Sequence, residues 1–128
     1  MTRESARKWY RQALHDLEMA EKNIEIGGYD VSAFLCHQCV EKLLKAGFIL
    51  ERKPVPKIHF VDELSKELNI PKELQDKIID LTVDYTFSRY PDVSEKVPYE
   101  EYTEELARKK VAIAKEVLKY FKKRWGEL

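Results

Sequence analysis

The chain has 128 residues, 44% of them hydrophobic and 36% charged, with 23 Lys+Arg balancing 23 Asp+Glu. That length suits a single domain, residues 1–128, with enough chain to bury a real core. Net neutrality removes the global case for a nucleic-acid binder while leaving local basic patches open, and the longest apolar runs fall far short of the roughly 20 residues that span a bilayer.

The charged start, Met-Thr-Arg-Glu-Ser-Ala-Arg-Lys, leads straight into a helical pattern with no apolar signal segment, so a cytoplasmic protein without a membrane role is expected. A first helix is predicted from about Glu4 to Ile26. Ala6, Trp9, Ala13, Leu17, Ala20 and Ile24 recur there at three- and four-residue steps, one stripe of an amphipathic helix. Gly27-Gly28 closes it. Asp16 flanks the stripe and is expected either to hold a buried basic group or to cap the packing.

The second helix opens at Asp30-Val31-Ser32 and continues to about Glu51. Phe34, Leu35, Cys36, Cys39, Val40, Leu43, Leu44, Phe48 and Leu50 cover well over half its circumference, which makes it a central helix. Its narrow polar strip holds Gln38, Glu41, Lys42 and Lys45. His37, Glu41 and Lys45 rise as one column in steps of four. By default Glu41–Lys45 is a solvated pair, although its place beside an apolar surface invites another partner, Arg89 being a candidate.

Cys36-His37-Gln38-Cys39 has C-x-x-C spacing, but there is no second cysteine pair, and His15, His37 and His59 are scattered. The pair also falls inside a helix rather than at its start, where a dipole would activate a thiol. The two cysteines are read as small buried apolar side chains. No metal or cofactor is expected.

In "ERKPVPKIH" two prolines deny a helix. A short helix is predicted from about Phe60 to Leu68, with His59 beside Asp62 as a helix-entry hydrogen bond. Pro71 suits the first turn of a fourth helix reaching about Ser88 on Leu74, Ile78, Leu81 and Tyr85. "RYPDVSEKVPYEEY" then forms a long connection without apolar periodicity, and such loops tend to be functional. Arg89 can complement the helix dipole there and Tyr90-Pro91 can stop the helix. Thr103 with Leu106 opens the last helix, whose stripe is Ala107, Val111, Ala114, Leu118, Phe121 and Trp125. The sum is an all-α, antiparallel up-and-down bundle of four long helices plus one short helix.

The run Ala13-Leu14-His15-Asp16-Leu17 with Ala20, then "FLCHQCVEKLLKAGF", then Ile58-His59-Phe60-Val61 and finally "SRYPDV", in this order and spacing, resembles the HEPN (higher eukaryotes and prokaryotes nucleotide-binding) domains over nearly the whole chain. The second run is similar to the family's Q-x-x-x-E-K-x-L-K-A signature, and the last to the Arg-Tyr-Pro-Asp of one branch. The resemblance implies a homodimer. It also implies a minimal nucleotidyltransferase partner in a toxin–antitoxin-like pair, and binding of a nucleotide. Many members are metal-independent ribonucleases using R-x(4–6)-H. Arg89 matches that arginine, but the next six residues, Tyr90 to Glu95, contain no histidine.

RNA cleavage needs a base, an acid and a cation for the phosphorane charge. Arg89 could supply the cation, with His59 or His37 left for proton transfer. The leading expectation is therefore a binding and interaction module, taking a nucleotide or other phosphate-bearing ligand at Arg89, Tyr90, Asp92, Glu41, Lys45 and His37. A ribonuclease with a non-standard site, acting on RNA, and a purely structural dimeric adaptor are the alternatives.

Overall fold

In the computed structural model, which describes residues 2–93 and 95–128, helix α1 (Arg3–Glu25) starts where Thr2 accepts a hydrogen bond from the Ser5 amide at 3.2 Å. This is a side-chain N-cap. Ala6, Ala13 and Ala20 are each wholly buried at seven-residue steps. They let α1 lie close along α2 (Tyr29–Leu50), the most extensive helix–helix contact in the molecule. The reversal between the two is made by Gly27 at φ 80°, with the Gly28 amide donating to the Asn23 carbonyl at 2.7 Å.

Helix α2 is the central element, packed by α1 and by every later helix of the fold. Its C-terminus is closed by Arg52 at φ 57°, where the Lys53 amide reaches the Phe48 carbonyl. After the proline-containing linker come α3 (Val61–Glu67) and α4 (Lys72–Thr82), separated by Asn69 at φ 55°. The last long helix, α7 (Glu104–Trp125), is capped by Thr103, which accepts from the Leu106 amide. It buries Ala107, Val111, Ala114 and Phe121 as its sequence pattern predicts, and Lys110 as it does not. Phe121 stacks on Tyr10 of α1 at 5.1 Å between ring centroids. The fold is the all-α antiparallel bundle expected, and no strand occurs among the described residues.

Two local expectations are corrected. The fourth helix does not run unbroken to Ser88: it ends at Thr82 and resumes as a single turn, α5 (Asp84–Phe87). The cause lies on α7, where the Lys110 ammonium donates to the Asp80 carbonyl. That carbonyl is the acceptor an uninterrupted helix would offer to the Asp84 amide, and such an intrusion interrupts the ladder. The aperiodic connection also has structure, a 3-10 turn at Pro91–Val93 and a helical turn α6 (Pro98–Glu101). Met1 and Ser94, which fall within the expected N-terminal and loop segments, lie outside the described residues.

Candidate ligand site

The polar strip of α2 becomes a site because three other segments fold over it. Glu41 is buried, and its Oε2 accepts from the Lys45 ammonium at 2.8 Å and lies 2.9 Å from His59 Nδ1. Lys45 is buried as well, so this ion pair is not the solvated one its spacing suggests. Glu41 therefore finds its outside partner in His59, not Arg89. His59 in turn is not bonded to Asp62, which accepts instead from the Thr82 hydroxyl at 3.0 Å. With a carboxylate fixing Nδ1, the half-exposed imidazole presents Nε2 outward.

His59 lies nearly parallel on the Tyr85 ring, at 4.6 Å and 13°. Tyr85 comes from α5, and its turn also delivers Arg89, one helical step of four later. The Arg89 guanidinium sits over three rings, 4.7 Å from Phe34, 5.5 Å from Tyr85 and 5.1 Å from Tyr90. It also donates to the Tyr90 hydroxyl at 3.1 Å. Arg89 is exposed and makes no ion pair with a carboxylate among the described residues. A guanidinium oriented by stacking, with most of its donors unclaimed, is organised to receive an anion.

His37 lies within the core below this surface, 5.4 Å from the Tyr85 ring and 3.9 Å from Glu41 Oε1. It is wholly buried, and neither ring nitrogen has a hydrogen-bond partner. Burial lowers its pKa to about 4, against a smaller upward pull from Glu41, so it is neutral at pH 7. Asp92 is exposed on the 3-10 turn. The structure thus gathers Arg89 and His59 on the Tyr85 ring, with Tyr90 against Arg89, His37 against the same Tyr85 ring, and buried Glu41 linking His59 to buried Lys45.

What sequence reading missed is the scaffold of that face. Tyr85 and Phe34 pass in a helical pattern as core residues, yet their rings carry the site. Their spacing, Tyr85 four before Arg89 and Phe34 three before His37, is the signal that could have shown it. A second buried cluster secures α5 from behind: Tyr102 donates to Asp84 Oδ1, Lys110 Nζ lies 3.0 Å from Oδ2, and Ser88 donates to the Asp84 carbonyl. Asp16 does hold a basic group, accepting from Lys42 and from Gln12. Cys36 and Cys39 are both fully buried and unbridged; burial pushes the Cys36 thiol up to about 12 and the Cys39 thiol upward too. Thiols so raised are inert at neutral pH.

The HEPN domain family model matches residues 6–125. The chain belongs to the HEPN family. An archaeal HEPN homologue of known structure is 33% identical, with a TM-score of 0.82 over 93% of this chain and 96% of that one. A protein from Thermus thermophilus is 28% identical, with a TM-score of 0.85 over 92% and 96%. A Thermotoga maritima HEPN domain protein, at 24% identity and a TM-score of 0.74 over 94% and 99%, shares the fold. No curated protein matches. In this HEPN chain Arg89 and His59, which come from separate segments, share the Tyr85 ring.

Proposed function

We propose that this HEPN protein is a binding and interaction module that takes a phosphate-bearing ligand, such as a nucleotide, on the Arg89–Tyr85–His59 face. The observation that carries the reading is the exposed Arg89, held over three aromatic rings with no carboxylate partner among the described residues. Its planar fork suits two phosphate oxygens at once. The imidazole of His59, stacked on the same Tyr85 ring, adds a second nitrogen donor when protonated.

Family membership supports the wider role, a homodimer that partners a minimal nucleotidyltransferase in a toxin–antitoxin-like pair. Ile79 and Val83, four residues apart and both exposed, offer apolar surface to a second copy. Calorimetry with ATP, UTP, inorganic phosphate and short RNA tests the ligand. Heat from wild type that disappears in Arg89→Ala is the expected outcome, and silence from both at millimolar ligand refutes it. Co-purification with the product of a neighbouring nucleotidyltransferase gene tests the partnership.

A second reading, metal-independent ribonuclease, is favoured by one specific arrangement. His59 has its Nδ1 fixed by buried Glu41, leaving Nε2 to act as base or acid near the Arg89 cation. RNA cleavage in EDTA that is lost in both His59→Ala and Arg89→Ala would establish it.

A further inference from the structure

The linker folds back beside α1 and α2. With them it forms an open groove of about 350 Å³ lined by Trp9, Lys45, Val55, Pro56, Lys57 and His59. The volume falls within the roughly 300–1,000 Å³ of small-molecule sites. Two chemistries meet there. Trp9, Val55 and Pro56 are walls for a flat apolar body. Lys45, Lys57 and His59 are nitrogen donors, and none of the six lining residues is acidic.

Lys45 is the informative one. Its ammonium is buried, lies 5.8 Å over the Trp9 ring and gives one hydrogen bond to Glu41, leaving donors for an acceptor inside the pocket. Lys57 has no carboxylate partner among the described residues. His59 belongs to both places: it lines the pocket and stacks on Tyr85, over which Arg89 lies. The distance from the His59 ring to the guanidinium therefore cannot exceed the sum of 4.6 and 5.5 Å.

We infer that this pocket is a base subsite. A nucleotide's planar ring packs against Trp9 and Pro56, its ring acceptors take hydrogen bonds from Lys45, and its phosphate reaches past His59 to Arg89. The inference rests on the phosphate reading above and adds the ring to it. Aromatic stacking is tolerant of base identity, so the site accepts purines and pyrimidines alike.

The test uses the Trp125→Phe variant, which leaves Trp9 the sole tryptophan, titrated with AMP, adenosine and ribose 5-phosphate. AMP and adenosine are expected to quench Trp9 emission while ribose 5-phosphate leaves it unchanged. By calorimetry AMP should bind about tenfold or more tighter than ribose 5-phosphate. Val55→Phe, which fills the pocket without touching a charge, should bring AMP down to the affinity of ribose 5-phosphate and leave the latter alone. A far-UV melt confirms that the variant is folded. Equal affinity for AMP and ribose 5-phosphate with flat Trp9 emission overturns the base subsite while the Arg89 reading stands. Quenching by adenosine with no binding of ribose 5-phosphate upholds the ring pocket and refutes the phosphate reading. No binding of any of the three refutes both.

Discussion

Replacing Lys110 with methionine removes the cation that faces Asp84 and keeps the length of the side chain. Asp84 is 1% exposed and would be left as a buried carboxylate with Tyr102 as its remaining side-chain donor. Breaking a buried pair in this way costs about 3–5 kcal/mol. For a chain of this size, at roughly 4 °C per kcal/mol, the melting temperature should drop by about 12–20 °C. The penalty should also depend on pH, and the sign follows from the direction of the shift. Burial already raises the Asp84 pKa above the ordinary carboxylate range, outweighing the opposing pull of Tyr102 and Lys110. A raised acid binds more protons folded than unfolded in the window between its two pKa values, so stability falls as pH rises through that window. Without Lys110 the folded pKa climbs further and the window widens upward. The difference between Lys110→Met and wild type should therefore shrink on acidification, by at most about 1.4 kcal/mol per pH unit. Urea denaturation of both proteins from pH 5 to 8 measures this. Adding Asp84→Asn should recover part of the loss at pH 7. A penalty that is constant with pH, or a double variant less stable than Lys110→Met alone, would refute the account of a buried unpaired charge.

Three further outcomes are expected. Gly47→Ala would set a methyl 2.6 Å from Cη2 of Trp125, and overpacking of this kind costs about 1–3 kcal/mol, readable as a lower melting temperature together with a changed Trp125 emission. His37, with its pKa lowered to about 4, binds fewer protons folded than unfolded between there and about 6.5, so wild-type stability should decline by about 3 kcal/mol as pH falls across that range. His37→Leu should flatten the decline; an unchanged pH slope would contradict this. Arg89→Lys should keep the charge but lose the stacked planar fork, weakening phosphate binding by about tenfold in calorimetry, whereas equal affinity would show that charge alone suffices.

The bundle was legible because its long helices obey local rules. Thr2 and Thr103 cap where a hydroxyl precedes an apolar stripe, Gly27 turns where φ must be positive, and Ala13 or Phe121 falls on its stripe by counting. The elements misjudged are those decided by a side chain from elsewhere in the chain. The interruption at Val83 depends on Lys110 reaching the Asp80 carbonyl across 30 residues, and a lysine within an apolar stripe gives no local sign of that reach. The same holds for the site. Arg89, Glu41, Lys45 and His59 could each be named from residue type and position, but which of them meet could not. Glu41 pairs with His59 18 positions further on, and between the end of α2 at Leu50 and His59 the chain is an irregular linker whose path helical periodicity does not constrain. Tyr85 went unrecognised for the complementary reason: an aromatic ring can serve as core and as platform at once, and this one touches Phe34 and His37 of α2 as well as His59 and Arg89. The proposed ligand face of this HEPN chain is thus the outer side of its own core, and a change that loosens α5, such as Lys110→Met, should weaken phosphate binding without touching a residue of the face.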